Sequence, residues 1–421
     1  MISRVKGTQD FLDMTLFNVL IKSTKEHLAF HNFIEIQTPL LEHLDLFQRS
    51  LGEHTEVVSK EMFIIEPRQE SSERICLRPE ITASIARAFV ENGIQNIPWK
   101  VFTYGPCFRY ERPQKGRYRQ FHQISIEVIG ASSVSQDVQF IAMLNALFAT
   151  MCIDDFVLAI NFLGCSDDRV NFIHVLKKFL DAQSGICRQC LERKEHNVMR
   201  IFDCKNVDCQ TIYKDAPHIV DHLCECCMQE WQQLQRQLSL LSVTYVYQPT
   251  LVRGLDYYNK TVFEFMSNAL GAQNTFCGGG RYNKLVKEIG AKEDQPSIGA
   301  ALGIERLMLL LEPLKETFVV EDEIDPLYVI IPMTNAQHDM ALCIAQDMQK
   351  YGLCVDVLFE GSVKSMFRKA NKLGAAFALI IGEDEQRDDC VVVKDMSAGS
   401  EQKIKKEEIV DFLLQQESCS I

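Results

Sequence analysis

The densest run of fixed positive charge is FRYERPQKGRYRQFHQ, residues 108–123, which carries Arg109, Arg112, Lys115, Arg117 and Arg119. A solvated charged turn is the plain reading of such a run. All but one of these cations are arginines, however, and the planar guanidinium fork suits bidentate contact with phosphate. Arg109 and Glu111 are expected on the strand that leads into the turn, facing the same way at period two. A charge held on a sheet face costs desolvation unless an anion meets it. The sharper reading is therefore a phosphate site on a sheet.

LVRGLDYYNKTVFEF, residues 251–265, reads as a strand whose mouth holds Arg253, Gly254, Asp256 and the adjacent phenols Tyr257 and Tyr258. Buried tyrosines around one satisfied arginine would explain it without function. LRPEITASIARAF, residues 77–89, sets Pro79, Glu80 and Thr82 ahead of a helix. They form either a cap or a carboxylate and hydroxyl offered to an ammonium group. CGGGRYNKL, residues 277–285, has a glycine triplet before a helix, a glycine-rich turn whose spacing fits neither a P-loop nor a dinucleotide fingerprint. In GAALGIERL, residues 299–307, Glu305 and Arg306 enter an apolar helix, as a buried ion pair or with Arg306 aimed at a phosphate.

The chain contains 16 cysteines and no secretory signal, so they read as reduced thiols or metal ligands rather than a disulfide framework. Cys187-x-x-Cys190, Cys204-x4-Cys209 and Cys224-x-x-Cys227 crowd one segment, with Cys226 inside the last pair. The two CxxC pairs, Cys187/Cys190 and Cys224/Cys227, have spacing that suits a four-thiolate zinc knuckle. The gap between them exceeds that of compact zinc ribbons. Reduced structural thiols are the default, and no metal ligand is assigned.

These residues must be positioned by elements. Residues 15–31 repeat apolar positions at helical spacing behind a Thr15 cap. FIEIQTPLLE alternates like a strand up to Pro39. WKVFTYGPCFRYE and QFHQISIEVIG pair as a long antiparallel hairpin, and SVTYVYQPTLVRGL and TVFEFM resume the strand texture after the cysteine-rich segment. That segment, residues 165–240, reads as a helical insertion into a first domain spanning 1–315. KETFVVEDEIDP is an acidic linker. Residues 326–421 then alternate buried strands with helices at 335–351, 362–373 and from about 400, an α/β domain with a largely parallel sheet.

The formal net charge of −13 argues against a general nucleic-acid coat, whose basic face would dominate the total, but not against a local site for a polyanion. No apolar run reaches 18 residues, so no membrane helix is expected, and a cytoplasmic location follows from the missing signal.

FRYERPQKGRYRQFHQ resembles motif 2 of class II aminoacyl-tRNA synthetases, and GAALGIERL resembles their motif 3. LVRGLDYYNKTVFEF and GGGRYNKL resemble the two signature peptides of histidyl-tRNA synthetases, a family that KGTQDF and LRPE also fit. The resemblance implies an α+β catalytic domain on a six-stranded antiparallel sheet, with a helical insertion and a C-terminal α/β anticodon-binding domain. It further implies a homodimer, with motif 1 running through the helix before Pro39. The implied reaction is that of a histidine–tRNA ligase: histidine and ATP, with Mg2+, yield histidyl-adenylate, and histidine then passes to the 3′ end of tRNA(His).

In that scheme Arg109 and Arg253 hold the α-phosphate, Arg306 the γ-phosphate, and Glu111 belongs to the ATP site. Arg253 replaces an additional metal ion used by other class II enzymes. Glu80 and Thr82, with Gln123 nearby, take the α-ammonium group. Glu127 and Tyr258 address the two imidazole nitrogens, and Tyr257 lines the pocket. Tyr110 stands where the family commonly has His and should point away from the phosphates. The motif 2 loop and the C-terminal domain would meet the acceptor end and anticodon, and the insertion would cover the acceptor arm. Two rivals remain. A histidine-sensing regulatory paralogue should lose motif residues and the C-terminal domain, whereas a zinc-dependent nucleic-acid-binding protein would rest on the cysteines.

Overall fold

A computed structural model of the chain describes residues 2–52, 55, 57–66, 73–319 and 326–418. The chain divides into two units, residues 1–319 and 320–421, and half of the acidic linker, 320–325, lies outside the described residues.

The strands of the first unit are β1 Ile34–Glu35, β2 Leu41–His43, β3 Phe63–Ile65, β4 Ile75–Leu77, β5 Trp99–Phe108, β6 Gln120–Ile129, β7 Val157–Phe162, β8 Val246–Tyr247, β9 Asn259–Met266, β10 Thr275–Arg281 and β11 Ser297–Gly303. Six of them, in the order β5-β6-β11-β10-β9-β7, form a continuous antiparallel sheet. The short strands β1 and β8 extend its two edges in parallel. Alternation makes the sheet two-faced. On β6, Ile124, Ile126 and Val128 join Phe263, Phe265, Ile298 and Leu302 in a core against helices Thr15–Phe30, Val134–Thr150 and Glu225–Leu240. Each such side chain contributes about 1.5–3 kcal/mol on burial, which makes the sheet a rigid platform. The alternate residues of β6, Gln123 and Glu127 among them, belong to the other face, and that face carries the chemistry.

Several local expectations change. Strand β5 ends at Phe108, so Arg109 and Glu111 lie beyond it. The ladder continues for one rung, Arg109 N to Arg119 O at 2.9 Å, and then Tyr110 N donates to Glu61 O at 2.7 Å, which pulls the chain off the sheet. Only Val246–Tyr247 of SVTYVYQPTLVRGL is strand, and Arg253 through Tyr258 form a loop before β9. The glycine triplet is not a turn but the middle of β10. Thr15 is the first helical residue rather than the cap, because Asp13 Oδ1 accepts its N–H at 2.9 Å. Of FIEIQTPLLE, only its ends are strand, in β1 and β2, and β2 joins a small sheet of order β2-β4-β3 that leads into residues 78–80.

Between β7 and β8 the chain is helical, chiefly Ser166–Asp181, Arg188–His196, Val207–Tyr213 and Glu225–Leu240. The second unit carries β12 Leu327–Pro332, β13 Cys354–Val357, β14 Phe377–Ile381, β15 Cys390–Asp395 and β16 Glu401–Lys405, in the order β13-β12-β14-β15-β16. Only β13, β12 and β14 are parallel; β15 and β16 are antiparallel, so the sheet is mixed. The final helix starts at Ile409, because residues from 401 continue the sheet first. LYVII reads as a continuous apolar run because both faces are covered. Tyr328 and Ile330 pack toward helices His338–Lys350 and Ile409–Ser418, and Val329 and Ile331 toward Val363–Lys372.

Candidate active site

Above the polar face of the first sheet lies a cleft of about 390 Å³ whose walls include Arg109, Arg253, Arg306, Glu80, Thr82 and Tyr258. Glu111, Gln123 and Tyr257 also line it. Three separate stretches of chain supply the arginines. Arg109 follows β5, and its Nε donates to Pro79 O at 2.9 Å. Arg306 sits in the first turn of helix Ile304–Leu311, with its Nε donating to Gly116 O at 3.0 Å and Nη1 bonded to Thr275 O. Burial, together with the charges of Arg117 and Arg109, holds the Arg306 guanidinium below its ordinary pKa. An anion between them would relieve that repulsion. Glu305 is not the partner of Arg306. It accepts His122 N–H at 2.9 and 3.0 Å, with His122 Nδ1 also 2.9 Å away, which leaves Arg306 to the cleft.

Arg253 rises from the loop before β9 and lies over the glycine strand. Its Nη1 pairs with Glu264, which also accepts from Thr275 Oγ1 at 2.8 Å, and its Nε is buried without a hydrogen-bond partner among the described residues. Burial opposes its charge, but Glu264, Tyr258 and Tyr257 outweigh burial and raise its pKa further. Glu111 is likewise paired, with Arg117.

The other end of the cleft is uncharged or acidic. Both Glu80 oxygens accept N–H groups of the helix Thr82–Glu91, from Thr82 at 2.7 Å and Ala83 at 2.8 Å. The capping reading is therefore observed, although Glu80 still borders the cleft. Burial pushes its pKa up, against those amides and Arg109. Glu127 is fully buried and does not border the cleft: it lies behind Thr82, accepting Thr82 Oγ1–H at 2.7 Å and Tyr282 O–H at 2.5 Å. Burial pushes its pKa up to about 8. A Cβ at Gly299, its neighbour across the β6–β11 register, would overlap the carboxylate. Tyr257 and Tyr258 pack ring to ring, with centroids 4.4 Å apart and hydroxyls 3.4 Å apart. Gln123 accepts from Cys107 Sγ at 3.4 Å. Tyr110 is exposed and stacks with Arg119, 3.7 Å from ring centre to Cζ, away from the cleft.

Residues that motif spacing did not single out also shape the site. Glu264 stands alone as an acid in an apolar strand, a signal present in TVFEF. Tyr282 follows the glycine triplet and its arginine. Arg200 reaches the cleft from the insertion, and no local pattern marks it.

The cysteine pairing differs from the expected one. Cys187 and Cys190 gather with Cys204 and Cys209, whereas Cys224 and Cys227 gather with Cys165 and Asp168. The cause is helix geometry: Cys224 caps the helix Glu225–Leu240, and the amide of Cys224 bonds Asp168 Oδ1 at 2.8 Å, at the start of the helix Ser166–Asp181.

A six-stranded antiparallel sheet that presents one arginine after a hairpin strand and another from the next helix defines the class II aminoacyl-tRNA synthetases. Residues 18–307 match the family model described as histidyl-tRNA synthetase, and residues 328–416 match that of the anticodon binding domain. The chain belongs to the histidyl-tRNA synthetase family. It is 38% identical over 416 residues to histidine–tRNA ligase of Clostridioides difficile, covering 97% of this chain and 98% of that one. With the Aquifex aeolicus ligase it shares 39% identity over 414 residues, 97% of this chain and 100% of the relative. The solved structure of apo histidyl-tRNA synthetase from S. aureus superposes with a TM-score of 0.78 at 31% identity, covering 98% and 99% of the two chains.

Proposed function

We propose that the cleft joins histidine to ATP and then delivers the histidyl group to the 3′ end of tRNA(His). The observation that carries this reading is that Arg109, Arg253 and Arg306 line one cleft with Glu80, Thr82 and Tyr257. In the first step a histidine carboxylate oxygen attacks the α-phosphorus, the bond to the bridging oxygen breaks, and pyrophosphate leaves. Arg109 and Arg253 approach the α-phosphate from the wall and from the sheet, and Arg306 holds the γ-phosphate. No side chain acts as nucleophile; fixed charge and alignment supply the rate. In the second step the terminal hydroxyl of tRNA attacks the acyl carbon and AMP leaves.

Glu80 and Thr82, with Gln123, receive the α-ammonium group. Tyr258 addresses the imidazole, with Tyr257 as its wall, and Glu127 acts on the ring indirectly, through the Thr82 hydroxyl that it holds. A buried polar pair left unmatched by any other side chain rejects it. The cleft carboxylates Glu111 and Glu264 are hard oxygen donors that suit Mg2+, which would offset phosphate charge there. The chain works as a homodimer, in the cytoplasm. A regulatory reading is disfavoured because the three arginines and the C-terminal domain are all present.

Histidine-dependent exchange of pyrophosphate into ATP tests the assignment. Exchange is expected with histidine alone. No exchange, or equal exchange with another amino acid, overturns it.

A further inference from the structure

The insertion holds a feature that neither step of the reaction uses. Cys187, Cys190, Cys204 and Cys209 place their four sulfurs within 4.8 Å of one another. Three are buried and all four are free thiols, the Cys187 and Cys204 sulfurs lying 3.8 Å apart. That separation is far beyond a disulfide, about 2.05 Å. It equals the edge of a tetrahedron of thiolates around zinc, where Zn–S bonds of about 2.3 Å set S···S edges of about 3.8 Å.

The surroundings suit thiolates. The amide of Cys187 donates to Cys209 Sγ at 3.2 Å. Tyr213 is buried, its hydroxyl lies beside the Cys190 and Cys209 sulfurs and makes no closer hydrogen bond among the described residues, so an O–H donor is ready for metal-bound sulfur. The order along the chain is one close pair, Cys187-x-x-Cys190, then Cys204-x4-Cys209 after an intervening segment. That segment touches the active site. Asn197 Nδ2 donates to Asp256 Oδ1 at 2.7 Å, Arg193 Nη1 holds Arg200 O at 3.0 Å, and Arg200 borders the cleft.

We propose that Cys187, Cys190, Cys204 and Cys209 bind one tetrahedral thiophilic divalent cation, Zn2+, which anchors the Asn197–Asp203 wall against the Arg253–Tyr258 loop. The second cluster is a capping device instead. Both Asp168 oxygens are already bonded to helix-start amides, of Cys165 at 3.0 Å and Cys224 at 2.8 Å, and Cys224 is exposed.

The full chain, purified under reducing conditions without chelator, is analysed for metal by mass spectrometry. About one zinc per chain is expected. The Cys204→Ser/Cys209→Ser variant should lose it and the Cys224→Ser/Cys227→Ser variant should keep it. If the first variant misfolds, Co2+ titration of metal-stripped wild-type chain decides: tetrahedral cobalt–thiolate bands should saturate at about one equivalent. No zinc and no such bands overturn the site, as does zinc retained by a folded Cys204→Ser/Cys209→Ser variant. A second equivalent lost only in the Cys224→Ser/Cys227→Ser variant overturns the exclusion of the other cluster. Limited proteolysis should cut between 187 and 209 faster in the stripped chain than in the zinc form. Equal cutting of the two overturns the anchoring role. None of these readouts depends on ATP chemistry.

Discussion

Arg253 lies flat on Gly278. A Cβ at residue 278 would stand 2.6 Å from Nη2 and 2.7 Å from Cζ, and Gly278 pairs in register with Glu264, the acid that holds the guanidinium. Gly278→Ala should therefore displace the charge without disturbing the sheet. Pyrophosphate exchange should fall about 100-fold in kcat/KM, the scale of losing one aligned charge donor, with the circular dichroism spectrum unchanged. Near-normal exchange would show that the close approach is not needed.

Arg253→Ala removes the charge itself. Transition-state stabilisation should drop by about 3 kcal/mol or more, read as kcat for adenylate formation. The fold should persist, since the guanidinium packs on the cleft surface rather than in either hydrophobic core. Adenylation at the wild-type rate would refute the role given to Arg253.

Glu127 makes stability depend on pH in a defined window. Folded, it keeps its proton up to about 8, whereas its ordinary value is 4.5. Between those values the folded state binds more protons than the unfolded, so stability falls as pH rises. Glu127→Gln removes that slope. Thermal melting from pH 5 to pH 8 should show wild type losing ground to the variant; parallel curves would contradict the burial effect.

Arg281 and Asp137 form a buried ion pair, each 1% exposed, with Arg281 Nε 3.0 Å from both carboxylate oxygens. Asp137→Ala strands a buried cation that, among the described residues, keeps only the carbonyls of Ala131 and Ser133 and the Asn283 side chain. Denaturant unfolding should report a loss of about 3–5 kcal/mol. A loss under about 1 kcal/mol would mean the guanidinium finds new partners at little cost.

Residues 1–319 carry the cleft and their own hydrophobic cores. That fragment should retain histidine-dependent pyrophosphate exchange while charging tRNA(His) poorly. Loss of exchange in a folded fragment would mean that the C-terminal unit contributes to the first step.

The roles of Arg109 and Arg306 are carried by short peptides whose chemistry is local, so they were legible as phosphate-suited groups before any fold was known. Alternation along β6 likewise reveals a two-faced strand, with Gln123 and Glu127 opposite Ile124 and Ile126. The strand ends were less legible. Arg109 leaves β5 because Glu61, distant in sequence, captures the next amide. Thr15 is the first helical residue, behind Met14 at the cap position, and Asp13 from one residue earlier accepts its free N–H.

By itself, the sequence determined the class of site, because guanidiniums, phenols and a glycine triplet are residue types whose chemistry survives any placement. Tertiary structure alone decided which of them meet. It set Glu305 on His122 and freed Arg306, and it laid Arg253 across Gly278 toward Glu264. It also drew Cys187 and Cys190 to Cys204 and Cys209 rather than to the second CxxC pair. Each outcome depends on which helix start or strand register brings two groups within about 3–4 Å, the range over which hydrogen bonds and ion pairs act. Spacing along the chain does not encode that distance.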